Sequence, residues 1–272
     1  MSVIQDYLNK CAGIVETVKK QEAEIQMAAR WFADSILAGR MVHVFGSGHS
    51  RIMVEEMWPR YGSFPGFNPI VELSLTFHNL VVGANGQRQA MFLENVSGLA
   101  DKILRNFDLS ALDTALVISS SGTNVVPVEM AEIFRQRGIK VVALVTQDHL
   151  KASTTKRPDH KKLDDFADLV LDTGAPAGDS MVYVPNLDTP VSPGSTVGGA
   201  MIINSIKAQV ADYLTQAGHP PKVLTAGALV GATRATELFE AAYDEHAHRI
   251  ARMYAKLGVP SYVSDTNKNS GL

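Results

Sequence analysis

Thr114-Ala115-Leu116-Val117-Ile118 runs directly into Ser119-Ser120-Ser121-Gly122-Thr123-Asn124, and a helical pattern opens at Val125. An apolar run, a turn dense in hydroxyls and a helix make a strand-to-helix unit. The same arrangement stands upstream: the run Met41–Phe45 enters Gly46-Ser47-Gly48-His49-Ser50, and a helix over Arg51–Met57 stops before Pro59. Working outward, the spacing predicts strands at Pro69–Leu73, Lys140–Val145, Leu169–Leu171 and Met181–Val184. Helices are expected at Ser97–Phe107, Val125–Arg137, Leu163–Ala167 and Thr196–Thr215, the last with a buried stripe of Ile203, Ile206, Val210 and Leu214. Near-continuous Val, Leu and Ile runs that alternate with helices imply parallel strands covered on both faces. The expected class is therefore α/β, an open sheet whose ligands sit beyond the carboxyl ends of the strands.

The flanks are helical. Ser2 to Ala38 carries apolar residues at three- and four-residue steps, as one long helix or two, ended by Gly39. A final helix is expected over Thr233–Leu257, before the polar tail Ser261–Leu272. This divides the chain into a helical segment 1–38, a ligand-binding domain 39–217, a helical extension 218–260 and a loose tail 261–272. Of 272 residues, 46% are hydrophobic, and 25 basic against 28 acidic residues leave a net charge of −3. Such a chain is not globally disordered and has no bulk charge for nucleic acid. The segment before the first strand shows neither a helix-turn-helix nor a basic face. Apolar runs of about five residues fall short of the roughly 20 that a membrane helix needs. The N-terminus lacks a secretory pattern, and the single Cys11 suits a reducing, cytoplasmic compartment. The loop Lys151–Lys162 holds Lys151, Lys156, Arg157, Lys161 and Lys162. It reads either as a solvated surface loop or as a lid that attracts an anion.

Each strand-to-helix loop has a chemistry. Glycines let the backbone approach a ligand, and helix N-termini present unpaired N–H groups to anions. Ser47, Gly48 and Ser50 in the first loop fit an anion cradle. The third glycine of a dinucleotide fingerprint is absent, because Arg51 stands there. Ser119, Ser121, Gly122, Thr123 and Asn124 form the denser donor set, without the lysine of a nucleotide-binding P-loop. A capped serine-rich turn and a phosphate cradle both fit these residues. Ser195 and Thr196, after Pro193-Gly194, are either N-caps or caps that also touch substrate.

The S-x-S-G-x-N arrangement of Ser119, Ser121, Gly122 and Asn124 resembles the phosphate-binding signature of sugar isomerase (SIS) domains. The Gly46–Ser50 turn lies 73 positions upstream, where such domains carry their other substrate loop. Gly48-His49-Ser50, Glu55-Glu56, and Gly174-Ala175-Pro176 with Gly178-Asp179 are similar to single-domain bacterial SIS proteins related to phosphoheptose isomerases and N-acetylmuramic acid 6-phosphate etherases. The resemblance implies a three-layer sandwich around a mainly parallel, five-stranded flavodoxin-like sheet. It also implies a homodimer or tetramer whose pocket a neighbouring subunit often completes, and a serine loop that holds phosphate. Isomerisation requires a base at carbon and an acid at oxygen. Glu56, one turn into the helix after the first loop, is expected to move the carbon-bound proton. His49 is expected to assist at oxygen, and His78 is a further candidate. Phosphoheptose isomerases hold zinc partly by a histidine on that helix, where this chain has Glu56. Neither metal nor cofactor is therefore expected. The implied activity is a cofactor-independent aldose–ketose isomerase of a sugar phosphate or amino-sugar phosphate. A sensor without turnover, an etherase and a deaminase are the alternatives.

Overall fold

A computed structural model describes residues 1–76 and 87–255. The N-terminal segment is two helices, α1 (Val3–Lys19) and α2 (Glu22–Leu37). Ser2 Oγ caps α1 by accepting from the Gln5 N–H at 3.2 Å. Gly39, at φ +72°, turns the chain out of α2. Next come β1 (Val42–Gly46), a single 3-10 turn (Gly48–Ser50) and α3 (Arg51–Met57). β2 (Phe67–Ile70), α4 (Leu73–Thr76), α5 (Gln87–Leu93) and α6 (Leu99–Leu104) follow. β3 (Thr114–Ile118), α7 (Val125–Gln136), β4 (Lys140–Val145) and α8 (Gln147–Ala152) make the centre of the chain. The chain continues through β5 (Leu169–Asp172), β6 (Ser180–Val182), β7 (Val191–Pro193), α9 (Ser195–Gln216), α10 (Gly227–Val230) and α11 (Ala232–Ala255). Among the described residues, no helix is long and apolar enough to cross a membrane.

The central sheet has five strands, all parallel, in the order β2-β1-β3-β4-β5. Two expected strands differ. The second is Phe67–Ile70 rather than Pro69–Leu73, and Leu73 already begins α4. Pro69 is tolerated because β2 is an edge, where a missing N–H breaks no ladder. The strand expected at Met181–Val184 is β6, which pairs antiparallel with β7 outside the central sheet. The helix expected over Ser97–Phe107 is the shorter α6.

Alternate residues of each inner strand feed opposite layers, as a strand's two-residue period demands. Val44, Leu116, Ile118, Val142 and Leu144 pack with residues of α2, α3 and α9. Phe45, Ala115, Val117, Val141 and Ala143 pack with residues of α6 and α7. Both faces are dry, which is why these strands read as unbroken apolar runs. At the amino end of the sheet, a buried charge cluster ties the approach to β1 to that of β3. Arg40 Nε and Nη2 donate to the two oxygens of Asp113 at 2.8 Å each, and the Ser110 N–H donates at 2.8 Å. His43 Nε2 approaches Asp113 at 3.2 Å without a good hydrogen-bond angle, and Asn68 Nδ2 lies 3.0 Å from His43 Nδ1. Burial pushes the Asp113 carboxyl up, but His43 and Arg40 outweigh it and bring it down to about 2.

Two consequences are measurable. A carboxyl whose folded value is depressed adds stability above its unfolded value, and that stability fades as pH falls toward the folded one. Asp113→Asn should therefore lose about 2 kcal/mol at neutral pH and flatten acid unfolding between pH 3.8 and about 2. Urea titrations at several pH values check this; an unchanged acid limb would contradict it. Gly198 on α9 supplies the second. A Cβ there would lie 1.8 Å from the Thr173 carbonyl oxygen, so α9 reaches the end of β5 only through a bare backbone. Gly198→Ala should cost roughly 1–3 kcal/mol, as overpacking does, and lower Tm measurably.

Candidate functional site

β1 ends in Gly46 and β3 in Ile118, and a cavity of about 340 Å³ opens beyond their carboxyl ends. Ser47, Gly48, His49 and Ser50 line it from the first loop, and Ser119, Ser120, Ser121 and Asn124 from the second. Ser195 and Thr196, at the start of α9, complete the hydroxyl wall. A small polar ligand fits such a volume.

The first loop turns tightly: a Cβ on Gly46 would lie 2.7 Å from the Ser50 carbonyl oxygen, and Gly48 has φ +57°. The serine loop is held from behind. Ser119 Oγ accepts from the Gly122 N–H at 3.2 Å, and Ser121 Oγ accepts from the Thr123 hydroxyl at 3.1 Å. Gly122 and Thr123 are buried and do not line the cavity. A Cβ on Gly122 would meet Leu150 at 2.5 Å, so glycine is what lets the turn close here. Ser120 Oγ donates to Thr146 Oγ1 at 3.1 Å, and Thr146 lies 2.7 Å from Thr173 Oγ1.

The site's base-like group is one that sequence reasoning missed. Glu94 follows α5 and lines the cavity. Ser47 Oγ donates to its Oε2 at 2.8 Å, and Asn124 Nδ2 donates to its Oε1 at 2.7 Å. Its carbonyl accepts from the Val126 N–H at 2.9 Å, fixing it to the first turn of α7. Burial pushes the Glu94 carboxyl above the usual glutamate range, opposed by the Ser47 bond and the charge of Lys156. Asp179 was also missed as a wall residue. Its φ is +61°, and it accepts from the N–H groups of Gly194 and Ser195 at 3.0 and 2.7 Å and from Ser195 Oγ at 2.6 Å. The Gly194 and Ser195 amides are thus already capped, and the Ser195 hydroxyl is committed as a donor. His149, on α8, lines the cavity as well. Its Nδ1 is buried with no hydrogen-bond partner among the described residues.

Glu56 does not join these groups. Its side chain is held between α3 and α9, where Asn204 Nδ2 donates to Oε1 at 2.7 Å and Arg60 Nη1 pairs with Oε2. Burial pushes the Glu56 carboxyl up, yet the hydrogen bonds from Asn204 and Arg60 prevail and hold it below the usual range. Lys207, itself buried, donates to the Glu56 carbonyl at 2.7 Å. The neighbouring Glu55 pairs with Arg51. His78 lies outside the described residues. Among the described residues, no three His, Cys, Asp or Glu side chains gather as a metal site would require.

Two curated relatives cover nearly the whole chain. A UPF0309 protein of Listeria innocua is 30% identical over 249 residues, 91% of this chain and 97% of its own. A UPF0309 protein of Halalkalibacterium halodurans is 30% identical over 250 residues, 92% and 98% respectively. Among solved structures, the phosphoheptose isomerase of Neisseria gonorrhoeae is 14% identical, with a TM-score of 0.46 over 78% of this chain and 97% of that one. The model described as SIS domain matches residues 6–146. That span holds both strand-to-helix loops, Glu94 and more than half of the sequence, and the chain belongs to the SIS domain family.

Proposed function

We propose that the protein binds a phosphorylated sugar or amino sugar and isomerises it between aldose and ketose, with Glu94 as the carbon base. The carrying observation is the half-buried Glu94 carboxyl, held by the neutral donors of Ser47 and Asn124 inside a cavity lined with hydroxyls. Ser119 and Ser121, at the end of β3 and before α7, are the phosphate donors of this reading. Glu94, raised by its burial, removes the proton from the carbon beside the carbonyl. An imidazole N–H, from His49 or His149 of the cavity wall, protonates the carbonyl oxygen to give an enediol. Glu94 then returns its proton to the adjacent carbon while the other hydroxyl gives its proton back to the imidazole. The role expected of Glu56 passes to Glu94 because Glu56 faces Asn204 and Arg60. A cytoplasmic setting and an assembly of identical subunits belong to the same reading.

A thermal-shift panel of sugar phosphates and their unphosphorylated parents tests the binding half. At ~100 times Kd, a ligand adds about 2.7 kcal/mol, a rise of several degrees for a chain of this size. One phosphosugar should stabilise the protein while its parent does not; no response from any phosphosugar sinks the reading. Proton exchange from solvent into that sugar, followed by NMR, tests the chemistry. Glu94→Gln should bind the sugar and lose roughly 10²–10⁴-fold in exchange rate, whereas Glu56→Gln should stay within about threefold of the parent. Wild-type binding without exchange would make the protein a sensor. Because the base acts deprotonated, the rate should fall on the acid side around a value above the ordinary glutamate range. A profile flat through that region would remove Glu94 from the role.

A further inference from the structure

The described side chains that line the cavity include two carboxylates, Glu94 and Asp179, and no lysine or arginine. An anion settling among the serine hydroxyls meets like charge in a partly desolvated site, where repulsion is strong unless a cation approaches.

The loop between α8 and β5 brings one. Its path is fixed against the serine loop: the Lys156 N–H donates to the Thr123 carbonyl at 3.4 Å, and the Leu163 N–H donates to the Gly122 carbonyl at 2.9 Å. Several of its basic side chains are committed elsewhere. Arg157 pairs with Glu132 at 2.8 Å and with Asp159 at 2.6 Å, Lys161 pairs with Asp165 at 2.9 Å, and Lys162 donates to the Leu150 carbonyl at 2.7 Å. Lys156 differs in being bonded to the cavity wall. Its Nζ donates at 3.0 Å to Asn124 Oδ1, an uncharged acceptor on a residue of the cavity wall. Asn124 in turn donates to Glu94, and Glu94 accepts from Ser47. Three hydrogen bonds thus connect a surface ammonium, through the serine loop and the half-buried Glu94 carboxyl, to the first loop.

We propose that Lys156 is the specificity-determining cation of this site: its ammonium leaves Asn124 for an oxygen of the ligand's anionic group, and so selects a phosphorylated sugar over its neutral parent. The inference rests on the phosphosugar reading and adds to it the residue that reads charge. An amide is an easily surrendered partner. A carboxylate partner, such as Arg157 has, would compete with the ligand for the same charge. The long lysine stem lets a compact ammonium move several ångströms without moving the loop.

Inorganic phosphate, as the shared anionic fragment, probes the inference directly. Calorimetric titrations of the full chain, Lys156→Met and Lys156→Arg are run at about 50 and about 300 mM NaCl. The parent chain should bind phosphate more weakly at the higher salt. Lys156→Met should bind roughly fivefold more weakly and lose most of that salt dependence, while Lys156→Arg stays within about twofold of the parent. Lys156 is exposed, so the Tm without ligand should not change, which separates lost binding from lost folding. A Lys156→Met chain that binds phosphate as tightly as the parent, with the same salt dependence, overturns the inference and leaves the phosphosugar reading standing. A parent chain that binds neither phosphate nor any phosphosugar overturns both.

Discussion

The reversal of strand order between β1 and β3 is the constraint on which the site depends. These strands are neighbours, yet the helices that follow them leave to opposite faces, α3 to pack on α9 and α7 to pack on α6. Diverging connections cannot close over the strand ends, so a crevice forms there, as at the switch point of any open α/β sheet. The two hydroxyl loops in the crevice leave strands buried on both faces, which therefore cannot shift, while Glu94, His149 and Ser195 come in from the end of α5, from α8 and from α9. The same geometry explains why glycine and serine dominate these loops. The backbone must turn sharply into each helix, and the hydroxyls supply donors without filling the space.

Within that crevice, the arrangement around Glu94 works against stability. A carboxyl desolvated beside neutral donors favours its protonated form. Its folded value is raised, so its contribution to stability falls as pH rises through that value. The fold carries this cost because Glu94 is clamped at both ends, by its backbone to the start of α7 and by its side chain to Ser47 and Asn124. Such a group is oriented without being neutralised, which is the condition a carbon base requires.

Much of the framework was legible in the sequence, because parallel strands covered on both sides leave an unmistakable run of Val, Leu and Ile. β1, β3 and β4, and the helices that follow β1 and β3, lie where the pattern placed them, give or take a residue, whereas α8 after β4 was not foreseen and the helix expected at Leu163–Ala167 is a 3-10 turn, Leu163–Phe166. The hydroxyl loops were equally legible, since strand-to-helix turns rich in serine and glycine carry their chemistry in local sequence. What could not be read was tertiary. Glu94 sits after a short helix that no periodicity announced, and it reaches the site only through Ser47 and Asn124, 47 and 30 positions away. Asp179 was visible as part of a Gly-Asp pair, but its role as the cap of α9 depends on a positive φ and a contact 16 positions on. The strand near Met181 was recognised, whereas its departure from the central sheet is decided by its pairing with β7.

The contrast between Glu56 and Glu94 shows why adjacency to a loop is a poor guide to chemistry. Both are glutamates partly withdrawn from water, and burial pushes both carboxyls up. Glu56 is met by the Arg60 guanidinium and the Asn204 amide, with the Lys207 ammonium nearby, and ends below the usual range. A carboxylate so paired is a weak base; its work is to fasten α3 to α9 and so to hold one wall of the crevice. Glu94 receives a hydroxyl and a carboxamide instead; the charge of Lys156, which is bonded to Asn124, opposes its burial without outweighing it, and the carboxyl ends above the usual range. The two groups share a residue type and differ in depth, Glu94 being the more desolvated, and in the charge of their partners. That difference suits one carboxylate to structural work and leaves the other chemically able to take up a proton.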